Sequence, residues 1–494
     1  MRTFTRSCRA ALVLAGVVAS AAPAPASAQT VPDRLQAPAP GPPPAVTLPA
    51  VARRQLSNGL AVWVVERHDV PVAQVDLVVR AGAGADPATT PGVASLTADM
   101  LDEGAGARSA LELADAIDFL GADLVTRSSW DASVVGLHVP VVRLAPALAL
   151  MADVARRPTF PLAELERLRQ DRLTELLQAR DDPRALLGAG AAHAVFGPAH
   201  RYGTLRGGTE ASVRAIHADD LRRFHGSYYR PANATLIVVG DVTADGVLPL
   251  LEAAFGDWRG DGPGPPAPVV PLATQLTKRE IVIVDKPGAA QSAIAIGWVG
   301  VARTTPDYFP ITVMNTILGG SFTSRLNQNL RETHGYAYGA GSSFDMRGSA
   351  GPFLGTASVQ TDRTAESVRE FFNEFAGILK PVPAVDLEKA KNYVALAYPG
   401  EFETTRDIAA RLQELVVFGL PDDTVSAYVG RVLAVAGGDV ARVAARYVQP
   451  DKFAVIVVGD RKVIEGPLRA LGLGPLRFVS ADTLLGGGPP RARR

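Results

Sequence analysis

The chain has 494 residues, 47% of them hydrophobic, with 50 basic and 50 acidic side chains and one cysteine. A balanced charge argues against nucleic acid or an anionic membrane as the main partner. One cysteine excludes a disulfide framework, so a core stable by burial alone is expected.

Residues 1–28 read as a secretory signal. Arg2, Arg6 and Arg9 precede an apolar run from Ala10 to Ala22, and Ala26-Ser27-Ala28 is a small-x-small cleavage site. The run is too short to span a bilayer and no later stretch does better, so no membrane span is expected. Cys8 lies ahead of the run, unlike a lipoprotein cysteine, and leaves with the signal. Loss of the three arginines takes the net charge to −3. Export without disulfides points to a bacterial periplasm. Residues 29–50, rich in Pro and Ala, read as a flexible leader.

An internal repeat organises the remainder. Pro231-Ala-Asn-Ala-Thr-Leu-Ile-Val-Val-Gly240-Asp241 and Pro450-Asp-Lys-Phe-Ala-Val-Ile-Val-Val-Gly459-Asp460 match in spacing, 219 residues apart. Upstream of each, a predicted strand leads into a predicted helix: 72–80 into 92–103, and 292–299 into 306–318. Two further strands, 122–127 and 133–139, precede the helices of the first half. The halves are 51–258 and 276–480, joined by a Gly/Pro-rich linker at 259–275 and followed by a flexible tail at 481–494. Strands and helices segregated in this way predict an α+β fold of two homologous repeats, each a mostly antiparallel sheet with helices packed on one face.

Three segments carry a family resemblance. Leu56-Ser-Asn-Gly-Leu-Ala-Val-Trp63 resembles the opening hairpin of the pitrilysin/insulinase (inverzincin) metallopeptidases, and residues 92–104 resemble their metal-binding helix. Relatives carry H-x-x-E-H there: two histidines on one helical face share a zinc ion and the Glu deprotonates its water. This chain has Ser95, Ala98 and Asp99 at those positions. Glu175, followed by Asp181-Asp182-Pro183, fits the family's third zinc ligand, although on so charged a helix it also reads as a solvated surface residue. No two of the seven histidines share i, i+3 or i+4 spacing, and Asp99, Asp102 and Glu103 form no recognisable calcium or magnesium pattern. The resemblance therefore implies a degenerate site that binds no metal.

The third segment keeps the family's pattern. Gly319-Gly-Ser-Phe-Thr-Ser-Arg-Leu326 leads to Leu330-Arg331-Glu332-Thr-His-Gly335-Tyr336-Ala-Tyr338, similar to "G-G-x-x-S-R-L…L-R-E-x-x-G-x-x-Y". In the family, this Arg and Tyr bind substrate and steady the scissile carbonyl at the other domain's zinc. Here those are Arg331 and Tyr338, with Tyr336 as an alternative, and Gly319, Gly320 and Ser321 stand where relatives have a substrate-touching loop. Some relatives divide the work between two chains. The resemblance thus implies the non-catalytic Arg/Tyr subunit of a heterodimeric periplasmic peptidase, inactive alone. Zinc would lie in a homologous H-x-x-E-H partner, with an unfolded peptide as substrate. The alternative is a proteolytically inactive scaffold or peptide-binding protein of the same fold.

Overall fold

A computed structural model describes residues 41–42, 50–260, 268 and 270–486. The signal segment and nearly all of the leader lie outside the described residues. The first half forms strands β1 (Ala52–Gln55), β2 (Ala61–Glu66), β3 (Val72–Val79), β4 (Asp123–Ser128), β5 (Ser133–Pro140) and β6 (Ala234–Gly240). The second forms β7 (Glu280–Asp285), β8 (Gln291–Val299), β9 (Ala337–Phe344), β10 (Pro352–Gln360), β11 (Ala454–Gly459) and β12 (Leu476–Phe478). The first sheet runs β1-β2-β6-β3-β5-β4 and the second β12-β7-β11-β8-β10-β9. The repeat is thus structural, and most neighbours pair antiparallel. The sheets differ at one edge, where β1 is antiparallel to β2 but β12 is parallel to β7.

Alternation along the strands sends side chains to both faces of each sheet. In β6, Leu236 and Val238 join the core under the first half's own helices, while Ile237 and Val239 point the other way. In β11, Val455 and Val457 face the second half's own helices, and Ile456 and Val458 face away. Burial on both sides explains why these strands read as unbroken apolar runs.

The helices expected on one face of each sheet are present, and the opposite face is covered as well. That cover comes from the other half. Helix Thr405–Phe418 lays Ile408, Ala409, Leu412 and Leu415 on Val65, Val78, Val134, Ile237 and Val239 of the first sheet. In return, helix Pro183–Phe196 lays Leu186, Leu187, Ala191 and Ala194 on Val282, Val284, Ala295 and Ile456 of the second. Gly190 lets this helix approach closely, since a Cβ there would stand 3.0 Å from Ile456 Cγ2.

Polar groups fix the same contacts. Gln413 donates to the buried Asp76 carboxylate (2.6 Å) and accepts from Arg127 (3.0 Å), and Arg406 pairs with Asp123 (2.6 Å). Arg347 packs against the rings of Trp130 and Tyr202, 4.5 and 4.4 Å from their centroids.

Residues 481–486, expected in a flexible tail, form the helix Ala481–Leu485 instead. Ser480 caps it through Thr483 N–H (3.1 Å), Asp482 pairs with Arg180 (3.1 Å), and Leu484 and Leu485 bury against helix Pro183–Phe196. Of the expected linker, residues 259–260, 268 and 270–275 are described, and Gln275 clasps the backbone of Val299 there.

Leu412 is fully buried between the halves. Leu412→Ala should cost about 2–5 kcal/mol. In denaturant melts, signals from Trp63 in the first half and Trp298 in the second should shift together; two separated transitions would contradict this interlocked core.

Candidate functional site

Gly319 ends helix Tyr308–Leu318, and its carbonyl accepts from Ser342 N–H of β9 (3.0 Å). A Cβ at Gly319 would overlap the backbone nitrogen of Ser342, so glycine is what lets the loop lie on the strand. The chain then turns through Gly320, Ser321 and Phe322. It enters a short helix at Arg325–Asn327 that widens into a π-helix over Gln328–Thr333, a local form often found at functional sites. Arg331 lies on this π-turn. Gly335 supplies the left-handed turn (φ 65°) into β9.

The result brings Arg331 and Tyr338 together. The Arg331 guanidinium carbon lies 5.1 Å from the Tyr338 ring centroid and 4.5 Å from that of Phe322. Both rings are largely exposed, Tyr338 at 87% and Phe322 at 63%. Buried Asn327 ties the two walls together: its amide donates to Phe322 O (2.6 Å) and its carbonyl accepts from Ala340 N–H (3.1 Å).

Tyr336 goes elsewhere. It precedes the strand and stacks on His334 (centroids 4.9 Å apart, 18° between planes). A bulge between Ala337 and Ala340 further breaks the alternation that would place both tyrosines on one face.

Gly319, Gly320, Ser321, Phe322 and Tyr338 all border an open cleft of about 770 Å³. Its opposite wall is the swapped helix, through Arg184, Leu187, Gly188 and Ala191.

The degenerate positions also converge, around an arginine. Helix Val93–Asp99 starts after Gly92 (φ 101°), where buried Asp86 accepts from Gly92 and Ala94 N–H (2.6 and 2.8 Å) and pairs with Arg201. Helix Leu162–Ala179 brings Arg172 across to it. The guanidinium binds Asp99 (2.6 Å) and Glu175 (3.2 Å) and lies 3.4–3.5 Å from Ser95 Oγ. A Cβ at Gly207 would collide with it. Arg172 therefore supplies a cation at the point where the three ligand positions meet. In sequence it is one charge on the charged helix around Glu175, and its i, i+3 spacing to Glu175 is the signal that puts both on one helical face.

These residues do not fit a zinc ion. Position 95 offers a hydroxyl, Ala98 is fully buried without a base, and Asp99 is held by Arg172. Burial pushes the Asp99 carboxyl up, against the pull of Arg172. Of the nearby acids, Glu103 is taken by Arg167, and burial raises Asp102 to about 6. No group of three or more His, Cys, Asp or Glu that could hold a metal occurs among the described residues.

Two family profiles match the chain. One, described as insulinase (peptidase family M16), matches residues 62–195, and the other, described as peptidase M16 inactive domain, matches residues 215–394. The chain belongs to the M16 peptidase family.

An uncharacterized zinc protease of Mycobacterium leprae is 28% identical over 330 residues, covering 66% of this chain and 73% of that protein. One of Bacillus subtilis is 24% identical, covering 65% and 77%. A crystal structure titled as a peptidase M16 inactive domain from Pseudomonas fluorescens aligns with TM-score 0.77 and 25% identity, over 83% of this chain and 98% of that one. A Helicobacter pylori protease, 22% identical, has the same TM-score over 83% and 100% and shares the fold. Within this M16 framework, the chain is a metallopeptidase-like protein whose own metal-site positions are non-catalytic.

Two predictions follow from the Arg172 geometry and from Asp102. Ser95→His with Ala98→Glu and Asp99→His should bind zinc only when Arg172→Ala accompanies them, with Glu175 as third ligand. Metal content after dialysis checks this, and equal zinc with Arg172 intact would contradict it. Asp102 has a raised folded pKa, so its stabilising contribution is complete below the ordinary carboxylate range and is lost as pH rises through about 6. Asp102→Asn should leave the melting temperature little changed at pH 4 and raise it at pH 8.

Proposed function

We propose that this chain is the non-catalytic subunit of a heterodimeric periplasmic zinc metallopeptidase. It takes an unfolded peptide into the cleft beside Tyr338 and presents Arg331 and Tyr338 to a homologous partner with an intact H-x-x-E-H. In this reading the zinc is the partner's and this chain binds none. The location rests on the signal-like segment at residues 1–28.

The contrast between the two sites supports the reading. At the degenerate site, each functional position is closed off by Arg172 or by a buried methyl group. At the second, a guanidinium and a phenol stand side by side at the mouth of an open cleft. Both are hydrogen-bond donors, and the phenol has no partner among the described residues. Aimed at the carbonyl oxygen of a bound peptide, they would stabilise charge that builds there as the carbonyl is attacked. The bond-breaking chemistry itself would need the partner's metal.

Steady-state kinetics on the reconstituted pair tests this. Arg331→Ala should lower turnover by about 10²–10³, the usual effect of losing one such donor. Tyr338→Phe should fall in or below that range, and Tyr336→Phe should have little effect because Tyr336 faces His334. Unchanged turnover with Arg331→Ala would favour an inactive scaffold of the same fold.

A further inference from the structure

The electrostatics of the cleft beside Tyr338 differ from the rest of the surface. Elsewhere, arginines are commonly held by carboxylates, as Arg172, Arg167, Arg201 and Arg303 are. Among the described residues, the cleft lining holds one formally charged residue, Arg184, and no Asp or Glu. Only the backbone N–H of Arg184 is engaged, by Asp182 (2.8 Å); its guanidinium meets no acceptor among the described residues.

Arg331, packed against the cleft-lining rings of Phe322 and Tyr338, is paired through Nε with its neighbour Glu332 (3.1 Å). Its two Nη groups have no acceptor among the described residues. Two acids of an adjoining pocket that shares Ser321 and Tyr393 are turned to other partners: Glu374 to Asn329 (2.8 Å) and Asp386 to Arg325 (3.5 Å).

The clip around Arg331 determines what can bind there. Phe322 and Tyr338 flank the part-exposed guanidinium with their ring faces, which leaves the planar Nη edge for hydrogen bonding. That edge matches the two oxygens of a carboxylate. Asn327 holds the walls at fixed spacing, so the fork is positioned before a ligand arrives. The adjoining lining includes glycine backbone (Gly319, Gly320, Gly339, Gly341) and hydroxyls from Thr356 and Ser358, which leaves room for an extended chain.

We infer that this cleft selects peptides carrying a carboxylate, on an acidic side chain or at a free C-terminus, over neutral or basic ones. The inference rests on the cleft being the peptide site proposed above. It also assigns Phe322 a positioning role, holding Arg331 without touching the peptide's reacting atoms.

The isolated full chain can be titrated by calorimetry with N-acetylated Gly/Ala/Ser decapeptides. Four differ only in charge: neutral and C-amidated, one central Glu and C-amidated, neutral with a free C-terminus, and one central Lys and C-amidated. Either carboxylate peptide should bind about tenfold more tightly than the neutral one at low salt, with the gap narrowing as salt is added. The tighter of the two identifies side chain or terminus as the source. Arg331→Gln and Arg184→Gln should each shrink the preference, and the double change should abolish it. Phe322→Leu should weaken carboxylate binding while Phe322→Tyr preserves it, which bulk stability alone would not distinguish.

Equal affinity for all four peptides, tighter binding of the Lys peptide, or a preference indifferent to both arginines would overturn the inference. So would no binding at all. None of these outcomes depends on a partner, so the turnover test of Arg331 and Tyr338 remains a separate judgement on the proposed function.

Discussion

Each six-stranded sheet has two apolar faces, and each half has helices enough for one. Left alone, the first sheet would expose Val65, Val78, Val134, Ile237 and Val239, and the second Val282, Val284, Ile456 and Val458. At roughly 25 cal/mol per Å² of apolar surface, that exposure would offset much of a domain's marginal stability. The exchange of helices Thr405–Phe418 and Pro183–Phe196 removes it, and so fixes the halves against each other. The candidate cleft depends on this exchange, because one of its walls is the helix Pro183–Phe196 of the other half.

The two sites use arginine in opposite ways. Arg172 is satisfied on several sides and closes the positions that the sequence resemblance assigns to a metal. Arg331 is held mainly by ring faces, which orient a guanidinium without consuming its hydrogen bonds. One site is neutralised from within, and the other leaves the Arg331 Nη groups without an acceptor among the described residues.

Much of this was legible in the sequence, for local reasons. The two strands ending in Gly240-Asp241 and Gly459-Asp460 reveal the repeat because full burial makes them continuous apolar runs. The Arg331–Tyr338 spacing survives because a turn at Gly335 fixes it. What stayed hidden depends on choices of partner that no local pattern encodes. Leu412 and Leu186 read as ordinary amphipathic-helix positions, and only the tertiary structure shows that they cover the opposite half. Phe322 sits in a glycine-rich loop with no periodicity to mark it. The placement of Tyr336 was not legible in its two-residue spacing to Tyr338, because strand alternation applies only inside a regular strand and β9 begins after Tyr336 with a bulge. The helix Ala481–Leu485 escaped notice because its two buried leucines lie beside a Gly/Pro-rich end.

The central claim is that the metal belongs to a different chain. Native purification of this protein from the periplasm, with mass identification of what accompanies it and zinc counted in the complex and in the separated chain, tests that most directly. The account predicts a stoichiometric M16 partner carrying H-x-x-E-H, one zinc per pair, and none on this chain after separation. A lone chain that retains one zinc and cleaves peptide in a chelator-sensitive way would contradict it.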